Sequence, residues 1–289
     1  MPSVLTLIAA PEFTGLPDIV TALQSQLAIT QEPRWLQEGV AVDLMCSAKH
    51  QDHVQGAILD RPIDYAVQAT EHRRKKLLIA DMDSTMIGQE CIDELAAEVG
   101  LKEKVAAITA AAMRGEIEFN PALRERVALL KGLPENVVDQ VIENRITLTP
   151  GGTVLVKTMQ KHGAYAALVS GGFTAFTNRI AERIGFNENR ANILNIENGK
   201  LSGTVKEPIL GREAKIEALE QISKQLGVTP ANAIAVGDGA NDLGMIGLAG
   251  LGVAIHAKPA VAAQADVCIK HNDLSALLFL QGYARNEWV

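Results

Sequence analysis

From residue 77 onward the chain repeats one pattern: a short apolar run, a turn, then a stretch with helical spacing of apolar residues. Strand-like runs fall at 77–80, 165–169, 233–236, 252–255 and 267–269. Helical spacing covers 154–162, 174–184, 212–226, 241–248 and 259–263. Strands that are apolar along their whole length must be covered on both faces, and parallel strands need helical crossovers. The pattern therefore predicts an α/β fold built on a parallel sheet. One interval breaks the rhythm. Residues 92–99, 103–113, 121–130 and 135–143 are all helical in period, punctuated by Gly100, Gly115 and the 132–134 turn. An all-helical insertion after the first strand would sit at that strand's carboxyl end, where ligands bind in such sheets. A short β-like excursion is expected at 193–196 and 201–205.

Ahead of this lies a different unit. Residues 3–10 and 40–46 are strand-like, as are 63–67. Residues 16–27 carry apolar side chains at helical spacing (Leu16, Ile19, Val20, Leu23, Leu27), and 53–59 predict a short helix. The β-α-β-α-β order suggests a small α+β domain over 1–74, ferredoxin-like or ACT-like, with a regulatory or oligomeric use. The basic run His72-Arg73-Arg74-Lys75-Lys76 is expected to be a solvated linker.

Composition narrows the function. The 289 residues suit about two domains and include 47% apolar and 21% charged residues, ordinary globular values. A net charge of −7 argues against a nucleic-acid binder or a polybasic membrane anchor. Aromatic residues make up only 4%, too few for a base-stacking surface. Cys46, Cys91 and Cys268 are few and far apart, which fits a reducing, cytoplasmic setting and neither a zinc site nor a disulfide framework. The N-terminus lacks the basic start of a signal peptide, and the longest uncharged apolar run, 243–255, is too short to span a bilayer.

Four segments carry chemistry. The strand 77–80 ends in Asp81-Met82-Asp83, two carboxylates at i and i+2. Such a pair can divide nucleophilic and acid–base work or hold a hard cation; an Asp here equally serves to cap a helix. The strand 233–236 ends in Gly237-Asp238-Gly239-Ala240-Asn241-Asp242, a second acidic strand end in the same domain. Ser170-Gly171-Gly172 follows a third strand, where a helix N-terminus would offer backbone N–H groups to an anion. Lys215 lies on the helix before the Asp238 strand. A single lysine there is usually a solvated charge, and it matters only if the fold turns it inward.

Together and in this order, these segments resemble the haloacid dehalogenase (HAD) superfamily. The stretches DMDSTMIGQECIDELA, AMRGEIEF, LRERVALLKG, VSGGFT and VGDGANDLGM resemble its phosphoserine phosphatase family more closely, over roughly residues 77–275. The resemblance implies a three-layer Rossmann-like core over 77–289, with a helical cap inserted over about 91–148. It implies Asp81 as nucleophile, forming an aspartyl-phosphate. Asp83 would protonate the leaving oxygen and then activate water. Mg²⁺ would be held by the Asp81 carboxylate, the Asp83 backbone carbonyl and Asp238, with Asn241 and Asp242 in support. Ser170, Gly171 and Lys215 would bind the phosphoryl oxygens, and Asn241 also stands with the substrate-binding residues. In the cap, Glu90 would face the substrate ammonium and Arg126 its carboxylate. Met113 and Phe119 would close over the site. The implied reaction is hydrolysis of L-phosphoserine, the last step of serine synthesis. The alternative is a HAD phosphatase or phosphotransferase acting on another small phosphomonoester. A homodimer through the N-terminal unit or the cap is the partner expected besides the substrate.

Overall fold

The structure is a computed structural model that describes residues 2–47, 51–58, 61–113 and 116–289. The N-terminal unit runs β1 (Ser3–Ala9), α1 (Leu16–Gln26), β2 (Arg34–Gln37), β3 (Ala41–Cys46), α2 (Gln51–Ile58) and β4 (Ile63–Ala69). Its sheet has the order β2-β3-β1-β4, with β1 antiparallel to both neighbours. This is the β-α-β-β-α-β, ferredoxin-like arrangement. The strand β2 was not expected from sequence. Only Leu36 of its four residues is buried, so it has no apolar alternation to read. The helix expected over 53–59 spans Gln51–Ile58; the His53 side chain and residue 59 lie outside the described residues.

The core sheet contains β5 (Leu77–Ala80), β6 (Tyr165–Phe173), β7 (Glu188–Asn192), β10 (Ala233–Gly237), β11 (Leu251–Ile255) and β12 (Val267–Ile269). Their order is β12-β11-β10-β5-β6-β7, and each adjacent pair is parallel. Side chains alternate between the two faces. Leu78, Leu168, Ile234 and Val253 pack on one side with α7 (Gly152–Lys161), α8 (Thr174–Ile184) and α12 (Ala276–Leu280). Leu77, Ile79, Val169 and Ala235 pack on the other with α9 (Arg212–Gln225) and α10 (Leu243–Leu248). The result is the three-layer α/β core. The strand β7 was missed in the sequence because ENRAN is polar; it sits at the edge and is held by pairing to β6.

Two more expectations are corrected. The strand β6 continues to Phe173 with a register shift after Val169, so Ser170 and Gly171 lie in an irregular strand end. The helix α8 begins only at Thr174, so no helix N-terminus stands directly behind Ser170. The basic run 72–76 is only partly the solvated linker expected: His72, Arg74 and Lys76 are exposed, but Arg73 and Lys75 are held. Arg73 bonds Asp43 at 2.6 Å and the carbonyl of Leu280 at 2.7 Å. Lys75 is 8% exposed and donates to the carbonyls of Ala231 and Gly250. The run is where the N-terminal sheet is fastened to the core.

The cap helices α3 (Cys91–Ala97), α4 (Lys102–Met113), α5 (Phe119–Ala128) and α6 (Val137–Asn144) follow β5. Their neck is narrow: Ile87 bridges Leu148, and the Gly88 N–H donates to the carbonyl of Thr147 at 3.0 Å. Because β5 lies between β10 and β6, the cap sits over the point where the chain's crossovers diverge, which is where such sheets open a crevice.

Just past β12, the buried Asp64 carboxylate accepts the backbone N–H groups of Lys270, His271 and Asn272 and the Asn272 amide. Asp64→Ala leaves these donors without their acceptor and should lower the unfolding free energy by about 2–4 kcal/mol. Urea denaturation of the variant checks this; an unchanged midpoint would contradict it.

Candidate active site

The chain leaves β5 at Ala80 and turns sharply through Asp81–Met86. Ser84 takes a left-handed conformation, φ 55°, to make that turn. Asp81 is 4% exposed and its Oδ1 lies 2.6 Å from Lys215 Nζ. The same ammonium lies 2.6 Å from Asp242 Oδ1. Lys215 comes from α9, where it shares a face with Ala218, Leu219 and Ile222, all buried. That is the i, i+3, i+4, i+7 stripe of an amphipathic helix. The lysine occupies a core position, so the helix points it inward.

The Asp238 turn is shaped by glycine. A Cβ on Gly237 would run into the Asp242 carboxylate, so only glycine lets that side chain fold back beneath the strand end. The Gly239 N–H then donates to Asp242 Oδ2 at 3.0 Å, and Thr85 Oγ1 donates to Asp238 Oδ1 at 3.2 Å. Asp81, Asp238 and Asp242 each bring a carboxylate oxygen within 4.8 Å of the other two. Burial and then Asp242 push Asp81 well above the usual carboxylate range. Burial and then Asp242 hold Asp238 at about 6. Burial pulls the Lys215 ammonium down, but Asp242 and Asp81 outweigh it and hold it above its ordinary value.

Three carboxylates facing one ammonium leave two negative charges uncompensated when all are ionised. Asp81 Oδ1 is moreover buried without a well-aligned hydrogen bond. Hard oxygen donors with excess negative charge fit a small divalent cation. Asp242 already engages both oxygens, so its part is to set Lys215 and the turn.

Above this floor a cavity of about 340 Å³ opens between core and cap. Asp81, Asp83, Ser170, Gly171, Asp238 and Asn241 line its core side. Glu90, Phe119 and Arg126 line its cap side. Asp83 accepts the Cys91 N–H at 3.4 Å, and burial followed by Asp81 raises it to about 7. Glu90 accepts Ser84 Oγ at 2.7 Å, and burial followed by Asp83 raises it to about 8. Arg126 is 6% exposed; burial lowers its pKa against the pull of nearby Asp93. Phe119 lies across Gly171 and Gly211, close enough that a Cβ on either glycine would touch the ring. The Met113 side chain lies outside the described residues. Sequence reasoning missed Thr109 and Arg212, which also line the cavity, and Ser84 and Thr85, which orient Glu90 and Asp238.

Residues 78–246 match the family model of haloacid dehalogenase-like hydrolases, the class that this sheet and its acidic edge define. A phosphoserine phosphatase of Albidiferax ferrireducens is 49% identical over 210 residues, covering 71% of this chain and 89% of that protein. One of Archaeoglobus fulgidus is 46% identical over 209 residues, covering 72% of this chain but only 60% of the longer relative. A solved structure of a probable phosphoserine phosphatase from Vibrio cholerae superposes with a TM-score of 0.77 at 32% identity, covering 99% of this chain and 88% of that one. The chain therefore belongs to the phosphoserine phosphatase family of the haloacid dehalogenase-like hydrolases.

The raised carboxyls have a thermodynamic consequence. Asp83, Glu90 and Asp238 hold protons more tightly folded than unfolded, at about 7, 8 and 6. The stability lost to them therefore grows as pH rises from about 4 through those values. Glu90→Gln removes one such group and should raise the metal-free melting temperature at about pH 8.5 while leaving it nearly unchanged at about pH 5. A divalent cation should raise the wild-type melting temperature more at the alkaline end. Thermal melts with EDTA and with Mg²⁺ check both; a Glu90→Gln effect independent of pH would contradict the account.

Proposed function

We propose that this chain hydrolyses L-phosphoserine to L-serine and phosphate with Mg²⁺, as the last step of serine synthesis. One observation carries the reading. A single cavity presents an acidic, lysine-backed floor on the core side and two opposite charges, Glu90 and Arg126, on the cap side. Phosphoserine has three charged groups: a phosphate, an ammonium and a carboxylate. With a cation held there, the floor suits the first; Glu90 suits the second and Arg126 the third.

The reaction follows from these groups. An Asp81 oxygen attacks phosphorus, and the bond from phosphorus to the serine oxygen breaks. Asp83, about 7 in pKa, carries a proton to that departing oxygen. Ionised Asp83 then takes a proton from water, whose oxygen attacks the aspartyl-phosphate. The bond to Asp81 breaks and phosphate leaves. Lys215, Ser170 Oγ and the Gly171 N–H hold the phosphoryl oxygens, and Asn241 supports them. The Asp81 carboxylate, the Asp83 backbone carbonyl and Asp238 would hold the Mg²⁺. When bound, that ion supplies the positive charge that offsets repulsion between a carboxylate nucleophile and a phosphate dianion. Phe119 closes the cap side of the cavity and excludes bulk water until serine has left.

We assign 1–74 to a structural or dimer-forming unit and 77–289 to the catalytic one, with its cap over about 91–148. The open edge strand β2 supports a contact with a second copy. Three free cysteines support a cytoplasmic setting. No helix among the described residues is long and apolar enough to cross a membrane.

Phosphate release from L-phosphoserine tests the reading beside a panel of uncharged phosphomonoesters. Activity should favour phosphoserine and vanish with EDTA and in Asp81→Asn. It should fall about 10²–10⁴-fold in Asp83→Asn. Metal-dependent activity on the panel but not on phosphoserine would overturn the substrate and leave the chemistry.

A further inference from the structure

We propose that Thr109, backed by Asp93, is a positioning residue that aims Arg126 at the substrate carboxylate. This inference rests on the phosphoserine reading and deepens it.

Arg126 is a charge with little access to water, 6% exposed on α5. A buried guanidinium without a counter-charge is costly. The usual remedy is a carboxylate bonded directly across its fork, but such a pair would consume the edge a ligand needs. The structure has another arrangement. Arg126 Nε donates to the carbonyl of Ala122 at 3.1 Å, one turn back on its own helix. Its Nη1 donates to Thr109 Oγ1 at 2.9 Å. Thr109 Oγ1 lies 3.0 Å from Asp93 Oδ1 and 3.0 Å from the carbonyl of Val105.

One hydroxyl proton cannot serve both acceptors. The oxygen that receives a bond from a cation is polarised, and the charged carboxylate is the stronger acceptor. The proton therefore goes to Asp93. The counter-charge stands one hydroxyl away from the arginine instead of on it. Among the described residues, Nη2 has no hydrogen-bond partner, and Arg126 and Thr109 both face the cavity. The guanidinium keeps a free edge and an anchored back.

The relay also spans three cap helices: Asp93 on α3, Thr109 on α4 and Arg126 on α5. Glu90 immediately precedes α3, three residues before Asp93. The same contacts thus fix the distance between the group facing an ammonium and the group facing a carboxylate. That distance distinguishes an α-amino acid phosphate from other phosphomonoesters.

The test compares L-phosphoserine with O-phosphoethanolamine, which lacks only the carboxylate. Wild type should favour L-phosphoserine. Thr109→Val keeps the shape and removes the hydroxyl. It should raise KM for L-phosphoserine about tenfold with little change in kcat, and leave phosphoethanolamine untouched. Thr109→Ser should restore the preference, and Asp93→Asn should weaken it in the same direction. Equal losses on both substrates, an unchanged preference in Thr109→Val, or failure of serine to rescue would overturn the role of Thr109. An unchanged preference in Asp93→Asn would remove Asp93 from it. If wild type shows no preference for L-phosphoserine, the substrate reading itself fails, and this is seen before any variant is made.

Discussion

The buried contact of Lys215 with Asp81 and Asp242 is the constraint around which the site is organised. An ammonium 2% exposed between two carboxylates survives only if both partners stay in place. Removing one partner of such a group typically costs about 3–5 kcal/mol. The contact joins three separate parts of the chain: the end of β5, the apolar stripe of α9 and the turn after β10. It therefore sets how the helix layer sits under the sheet's carboxyl edge. Gly237 is part of the same constraint, since a side chain there would displace Asp242. The cluster is also electrically incomplete. Its excess negative charge and raised carboxyl pKa values suit a protein that works with a cation bound.

The cap supplies what the core cannot. On the proposed reading the core holds the phosphate and the metal, and the cap recognises the rest of the molecule. Glu90 and Arg126 enter from the cap, across a neck fixed by Gly88 and Thr147. The cap has a second tie. The hairpin of β8 (Leu194–Glu197) and β9 (Lys200–Val205) meets the cap, where the Gly132 N–H donates to the carbonyl of Leu201 and the Leu201 N–H donates to the carbonyl of Leu133. With both ties in place, the cap's charged groups stand at a defined height above the acidic floor. In the proposed reaction, substrate selection rests on cap geometry and bond cleavage on core geometry.

Much of this was legible in the sequence. The apolar runs ending in Asp81 and in Gly237-Asp238 marked strands whose polar ends must share one sheet edge. Lys215 was legible too, given weight to its spacing from Ala218, Leu219 and Ile222. A polar residue on an apolar stripe is the informative kind of exception. Other features depend on partners far away in the chain. The basic run at 72–76 looks solvated until Asp43 and the C-terminal carbonyls are placed around Arg73. The strand β7 is polar and exists through its pairing with β6. Thr109 sits among alanines as an ordinary helix filler, and its contacts with Arg126 and Asp93 arise only when three cap helices pack. Local pattern gives the strand ends and the apolar faces; tertiary contact decides which polar residues become partners.

The central claim is that Asp81 becomes covalently phosphorylated during turnover. Rapid acid quench after mixing with ³²P-labelled phosphoserine and Mg²⁺, followed by peptide mapping, tests it most directly. The account predicts transient label on the peptide containing Asp81, stable in acid and lost in base. Turnover with no protein-bound label, or label on any other residue, would contradict it.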